Sequence, residues 1–162
     1  MKIVVTTGTG SDYTFTRLLN IIDELCDCGV IDSNKLIVQS TDHFTAKNYK
    51  VIPMMPESDF VSHLQTADCV ISHAGTGTVT KSLKMGKKVI LFPRRAEFGE
   101  HMDDHQLDLC ELFKGLGYVL VANDKSELIN CLQHVNNFKP VEFISSNKRI
   151  NQIIREFIEG NV

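Results

Sequence analysis

Runs of β-branched and aliphatic residues alternate along the chain with segments whose apolar residues recur at helical spacing. Such alternation is typical of strands that are followed by amphipathic helices. The runs predict strands over 2–7, 35–40, 49–54, 68–73, 88–92 and 118–122. The periodic segments predict helices from Phe15 to Gly29, over 57–67, up to Met85, over 102–114 and over 125–135. A last amphipathic helix is predicted over 145–160, after a break at Pro140.

Strands that alternate with helices of this length predict an α/β fold, with a parallel sheet covered by helices on both faces. The chain has 162 residues and no Pro/Gly/Ser-rich linker, so 1–162 are expected to form a single doubly wound Rossmann-like domain. The pattern over 145–160 leaves two alternatives open. That helix packs on its own sheet, or it contacts a partner.

Composition narrows the classes of function. Hydrophobic residues make up 43% of the chain and charged residues 23%, which excludes a disordered or fibrous protein. A net charge of −3 gives no electrostatic footprint for nucleic acid. The five cysteines show neither zinc nor disulfide-framework spacing, no signal peptide opens the chain, and no apolar run could span a bilayer. A cytoplasmic location is therefore expected.

Three unusual segments leave predicted strands at the same edge of the sheet, where doubly wound domains bind ligands. They comprise residues 7–10, 73–78 and 93–106. In the second segment, Gly75 and Gly77 permit a sharp turn, Thr76 and Thr78 offer hydroxyls, and a helix begins directly afterwards. Free N–H groups at that helix N-terminus would bind a diphosphate. The motif is neither a P-loop nor a dinucleotide fingerprint.

A plainer interpretation of this segment also stays open. The turn could be an ordinary one with a threonine N-cap, and His73 could be a core histidine with a satisfied hydrogen bond.

The third segment concentrates polar side chains at a loop-to-helix junction: Glu100, His101, Asp103, Asp104, His105 and Gln106. On a helix, His101 and His105 would share one face with Asp104 beside them, an arrangement similar to that of some zinc peptidases. A third zinc ligand is missing, however, and the acidic residues also suit a helix N-terminus. No metal is therefore expected, and hydroxyl groups of a sugar or ribose are better matched by these carboxylates and amides.

Two arginines open the third segment. Arg94 and Arg95 are candidates for pairing with anionic groups of a ligand or partner. The alternative is a solvated basic turn that Glu97 and Glu100 neutralise.

The sequences ISHAGTGTVTKSLKMGKKVILFPR and GEHMDDHQLDL resemble the C-terminal half of the MurG-like glycosyltransferases, family 28, which have GT-B architecture. The resemblance is closest to small single-domain subunits of split enzymes of lipid-linked oligosaccharide, capsule or exopolysaccharide synthesis. The opening VTTGTGSDYTFTRLL is similar to the family pattern V-T-V-G-T-x-x-x-x-F-x-R-L, with Phe15 and Arg17 in register. The similarity extends over 3–118.

The resemblance implies that this domain, one half of a GT-B fold, binds a UDP-sugar, while a membrane-anchored partner binds a polyprenyl-linked acceptor. It places Gly8 and Thr9 in the first loop, and His73, Gly75, Thr76, Gly77 and Thr78 at the diphosphate. It places Arg94 in the donor site as well. Glu100, His101, Asp104, His105 and Gln106 would face the sugar or the cleft.

The implied reaction is an inverting hexosyl transfer without metal or other cofactor, at the cytoplasmic face of the membrane. A base would deprotonate the acceptor hydroxyl. It would come from the partner, or from His101 or Glu100 in this chain.

Two positions depart from the family pattern. Lys81 stands where a carboxylate that contacts ribose is common, and Gly10-Ser11 stand where relatives often carry a histidine. Lys81 leaves open a non-catalytic partner subunit that has lost donor binding. A metal-dependent hydrolase built on His101, Asp104 and His105 is a further alternative.

Overall fold

The computed structural model describes residues 1–9 and 12–143. Their strands are β1 (Ile3–Thr6), β2 (Leu36–Gln39), β3 (Val51–Ile52), β4 (Cys69–Ser72), β5 (Lys88–Leu91) and β6 (Leu120–Val121). Their α-helices are α1 (Thr16–Asp27), α2 (Glu57–Thr66), α3 (Thr76–Lys84), α4 (His105–Gly115) and α5 (Lys125–His134). Short 3₁₀ helices occur at Ser33–Lys35 and Ala96–Phe98. The helix predicted over 145–160 and the Gly10-Ser11 pair lie outside the described residues.

The six strands form one sheet in the order β3-β2-β1-β4-β5-β6, and every neighbouring pair is parallel. This order confirms the predicted doubly wound fold. Ile3 of β1 lies opposite Leu36 of β2 on one side and Cys69 of β4 on the other. The chain adds β2 and β3 on one side of β1, and then β4, β5 and β6 on the other side. Because the order of strands reverses between β1 and β4, a crevice opens beyond the carboxyl ends of these two strands.

The alternation of side chains along each strand divides the core between the two faces of the sheet. Ile3 and Val5 pack with the buried residues of α1 and α5, whereas Val4 packs with those of α2, α3 and α4. Both faces are apolar because helices cover both. Helices therefore pack on both sides of the strands whose carboxyl ends carry the candidate loops.

The start of α4 differs from the prediction. The helix begins at His105 and not at residue 102. The Asp103 side chain accepts a hydrogen bond from the backbone N–H of His105 at 3.2 Å, and Asp104 accepts one from Ala96 N–H at 2.8 Å. Short acidic side chains that bind nearby backbone groups in this way favour non-helical conformations. Residues 101–104 therefore form a bend, and His101 lies outside the helix.

The cysteines in apolar stretches are part of the core. Cys69 and Cys110 are buried, and burial raises the pKa of each thiol to about 12. They act as small hydrophobic side chains, as predicted. Across the part of the chain that the structure describes, no helix combines the length and apolar character needed to cross a membrane.

Candidate functional site

A cleft of about 390 Å³ opens at the carboxyl ends of β1 and β4, where the sheet order reverses. It brings together residues from all three segments singled out in the sequence. Its walls are Thr7, Gly8, Thr9, His73, Gly75, Thr76, Gly77, Thr78, Arg94, His101 and Gln106. Most of the predicted donor-site residues therefore surround one cavity.

The imidazole of His73 fills the space between two glycines. A Cβ atom at Gly75 would lie 2.1 Å from His73 Nε2, and one at Gly8 would lie 2.6 Å from His73 Cε1. Gly8 also has a φ of +85°, which disfavours any residue with a side chain. Both glycines are thus required by the close packing of the two loops around His73.

His73 is held in its neutral form. Burial, with the charge of Arg94 and the neighbouring His101 as further causes, lowers its pKa to about 4. Its Nδ1 atom is buried and has no hydrogen-bond partner among the described residues. The neutral ring can donate or accept one hydrogen bond at the cleft wall, depending on its tautomer.

The N-terminus of α3 faces this cleft without a side-chain cap. Gly75 is the N-cap residue, and among the residues that the structure describes no side chain accepts a capping hydrogen bond from the first turn of the helix. The predicted alternative, a turn with a threonine N-cap, is therefore wrong. Since the first N–H groups of a helix have no partner within the helix, those of Thr76, Gly77 and Thr78 are suited to bind an anion.

Arg94 and Gln106 connect the loops that form the cleft. The Arg94 guanidinium donates to the carbonyl oxygens of Thr7 at 2.9 Å, Tyr13 at 2.8 Å and Glu100 at 3.1 Å. Gln106 Oε1 accepts from the N–H groups of Ala74 and Arg94 at 3.2 and 3.0 Å. Arg94 was expected to pair with anionic groups, but its donors bind carbonyl groups of the chain. Arg95 instead pairs with Glu97, at 2.7 Å.

Glu100 belongs to a buried ion pair. Its two carboxylate oxygens accept hydrogen bonds from Nε and Nη2 of Arg17, both at 2.8 Å, and one also accepts from Arg95 N–H. Arg17 donates further to the carbonyl oxygens of Asn123 and Pro93. Only 5% of the Glu100 side chain is exposed. A carboxylate held this way is poorly placed to act as a base or to bind sugar, contrary to the role expected for it.

His101 lies at the mouth of the cleft in a cluster of rings. Tyr13 stacks on it with ring centres 6.0 Å apart, and the His105 ring meets it edge-on at 4.6 Å. Asp103 contacts both imidazoles, and the possible ligand atoms of His101, Asp103 and His105 lie within 4.8 Å of one another. The expected grouping with Asp104 is wrong, because the Asp104 carboxylate binds Ala96 N–H. His105 and Asp104 do not line the cleft.

A second cavity of about 300 Å³ adjoins the first and was not predicted from the sequence. The two share Gly8, Thr9, Gly77 and Thr78 as a common wall. The remaining walls include Gln39, Met54, Met55, Glu57, Phe60 and Lys81. Lys81 and Glu57, which both line this cavity, form an ion pair with each other. One sequence feature could have indicated this cavity: residues 53–60 directly follow β3 and so lie at the same edge of the sheet.

The match to a known family agrees with this geometry. Residues 18–159 match the glycosyltransferase family 28 C-terminal domain, so the chain belongs to that family. Among curated relatives, the UDP-N-acetylglucosamine transferase subunit ALG13 of Candida albicans is 26% identical over 153 residues, which cover 94% of this chain and 48% of the relative. The human protein of that name is 30% identical over 131 residues, covering 74% of this chain and 11% of its own length. The chain thus spans half or less of these relatives.

Solved structures share the fold. The solution structure of ALG13 has a TM-score of 0.61 at 22% identity and covers 94% of both chains. The rice protein Os79, solved in complex with UDP, has a TM-score of 0.55 at 17% identity, covering 84% of this chain and 32% of its own. These similarities establish a Rossmann-like domain of the GT-B type.

Proposed function

We propose that this chain is the donor-binding, catalytic half of a two-chain glycosyltransferase that uses a UDP-sugar. The uncapped N-terminus of α3, open to the cleft at the point where the sheet order reverses, carries the proposal. Family membership and relatives named as UDP-N-acetylglucosamine transferase subunits support it.

The two adjoining cavities suit the two parts of the nucleotide. The diphosphate binds the N–H groups of Thr76, Gly77 and Thr78, with the neutral His73 beside it. The base and ribose occupy the second cavity, where Phe60, Met54 and Met55 supply apolar surface. As the sugar is transferred, the helix N-terminus stabilises the charge that develops on the leaving UDP.

The sugar then lies toward His101, the local candidate for the base that deprotonates the acceptor hydroxyl. Glu100 is unsuited to that role, because Arg17 holds both of its oxygens. The acceptor is a polyprenyl-diphosphate-linked saccharide that a membrane-anchored partner binds. The partner places this domain at the cytoplasmic face of the membrane.

A thermal-shift titration with UDP tests donor binding. We expect saturating UDP to raise the melting temperature by about 5 to 10 °C, since ligand at a hundredfold excess over Kd stabilises a fold by about 2.7 kcal/mol. Gly77→Val should remove this shift without unfolding the protein. Within residues 1–9 and 12–143, a Cβ at Gly77 would meet no atom within 4 Å apart from its chain neighbours and the backbone of its own helix, and both cavities adjoin it.

Gly115→Val is the matched control. A Cβ at Gly115 also meets none of these other atoms in the described part of the chain within 4 Å, but this glycine ends α4 and lines neither cavity. It should keep the full response to UDP. Failure of every uridine nucleotide to shift the wild-type melting temperature at millimolar concentration would overturn the proposal and favour a non-catalytic subunit.

Chelation tests the proposal that no metal takes part. We expect EDTA to leave the UDP-induced thermal shift unchanged, because the proposed phosphate contacts are backbone N–H groups. Loss of the shift in EDTA, with recovery on adding a divalent cation, would contradict this. In that case, an Asp103→Asn variant that shows no UDP-induced shift even with the divalent cation present would identify the cluster of His101, Asp103 and His105 as the ion's location.

A further inference from the structure

The second cavity contains an acidic and a basic side chain that contact each other. Glu57 belongs to the first turn of α2 and Lys81 to α3, and Lys81 Nζ donates to Glu57 Oε1. The Lys81 side chain is 33% exposed and that of Glu57 is 71% exposed. Both line the cavity, so the ion pair places a carboxylate at its edge.

Two other polar side chains that line this cavity, those of Thr6 and Gln39, already have partners within the chain. Thr6 Oγ1 donates to Gln39 Oε1 at 2.6 Å, and Gln39 Nε2 donates to the carbonyl oxygen of Pro53 at 3.3 Å. Glu57 differs from them. Within residues 1–9 and 12–143, Oε1 has Lys81 as its partner and Oε2 accepts no hydrogen bond. The carboxylate therefore keeps acceptor capacity for a ligand.

We propose that Glu57 binds the ribose hydroxyl groups of the nucleotide, and that Lys81 is a positioning residue that holds the Glu57 carboxylate toward the cavity. This inference rests on the proposed function, since it assigns one contact of the same ligand. A carboxylate can accept hydrogen bonds from two neighbouring hydroxyl groups, whereas an ammonium group can only donate. The Glu57 carboxylate on α2 can therefore accept hydrogen bonds from the ribose, which the Lys81 ammonium group on α3 cannot do.

The position of the Glu57–Lys81 ion pair, in a cavity that adjoins the first one, agrees with a role in binding ribose. Thr78 and Gly77, whose N–H groups are proposed to bind the diphosphate, also form a wall of the second cavity. A ribose joined to that diphosphate would enter the second cavity first, ahead of the base. Lys81 follows Gly77 by one helical turn on α3, so the ion pair lies near the start of the path that the ribose would take.

Calorimetry with UDP and 2′-deoxy-UDP tests the assignment. We expect wild type to prefer UDP, and Glu57→Gln to bind UDP about tenfold more weakly, because the neutral amide loses the charge-assisted hydrogen bonds from the ribose hydroxyl groups. Binding of 2′-deoxy-UDP should change less, so the ratio of the two affinities should fall toward one. Asp59→Asn is the matched control: it removes another exposed carboxylate from the first turn of α2, but Asp59 does not line the cavity.

Two further variants separate positioning from a purely structural effect. Lys81→Met should lower the preference for UDP over 2′-deoxy-UDP, and the exchange Glu57→Lys with Lys81→Glu should restore it, because the carboxylate then stands on α3. An unchanged preference in Glu57→Gln, while UDP still binds, would overturn this inference alone. No binding of UDP to wild type would overturn the proposed function together with it.

Discussion

Glu100→Ala is expected to destabilise the fold by about 3 kcal/mol, since removing one partner of a buried ion pair leaves the other charge uncompensated. The Arg17 side chain is only 20% exposed, and its guanidinium also lies over the Phe92 ring, 4.6 Å from the ring centre. Thermal unfolding should show a melting temperature lower by roughly 6 to 12 °C.

Glu97→Ala, in the same loop, is the control for Glu100. Glu97 pairs with Arg95, but 54% of its side chain is exposed. Its removal should therefore change stability by less than about 0.5 kcal/mol. A double-mutant cycle of Arg17→Ala and Glu100→Ala should give a large coupling energy. Equal effects of the Glu97 and Glu100 variants would show that the buried pair does not stabilise the loop.

Gly75→Ala is expected to cost about 2 kcal/mol, through steric overlap and not through backbone strain. The added Cβ would lie 2.1 Å from His73 Nε2, while the backbone at Gly75 has an ordinary φ of −79°. His73 would have to leave its place between the two glycines. We expect chemical denaturation to show this decrease in the free energy of unfolding. UDP binding should also weaken, because the cleft wall shifts.

The cause of the destabilisation by Gly75→Ala can be tested in a variant that also carries His73→Ala. Without the imidazole, the space beside Gly75 opens, and the same Gly75→Ala change should cost less than about 0.5 kcal/mol. An equal cost in both backgrounds would mean that a group other than His73 sets the requirement for glycine. Gly77→Ala should be tolerated in either background, because its Cβ meets no atom of the described residues within 4 Å beyond its own helix and chain neighbours.

The fold could be predicted because the sequence patterns that specify its strands and helices are local. Each buried strand is an apolar run, and the buried residues of α1, such as Leu18, Ile22 and Leu25, recur at helical spacing. The start of α4 was placed wrongly, since periodicity does not register the hydrogen bonds that Asp103 and Asp104 form with nearby backbone groups. Such bonds depend on how the loop bends, which the pattern does not encode.

The candidate site was predictable only in part. The glycine-rich segment could be found because a strand, a turn and a helix N-terminus follow one another directly in the sequence. The role of Glu100 could not be found in this way, because its partner Arg17 lies 83 residues away along the chain. The second cavity was missed for a related reason. Glu57 and Lys81 are 24 residues apart, and only the packing of α2 beside α3 brings them together.

The three carbonyl groups that Arg94 binds bear on the entropy of ligand association. They belong to Thr7, Tyr13 and Glu100, in the segments that follow β1 and β5, so one buried guanidinium restrains these three positions before any ligand arrives. The conformational entropy of the backbone at these positions is then lost during folding and not during binding. At the positions that Arg94 holds, little of a ligand's interaction energy would then be consumed in ordering the chain.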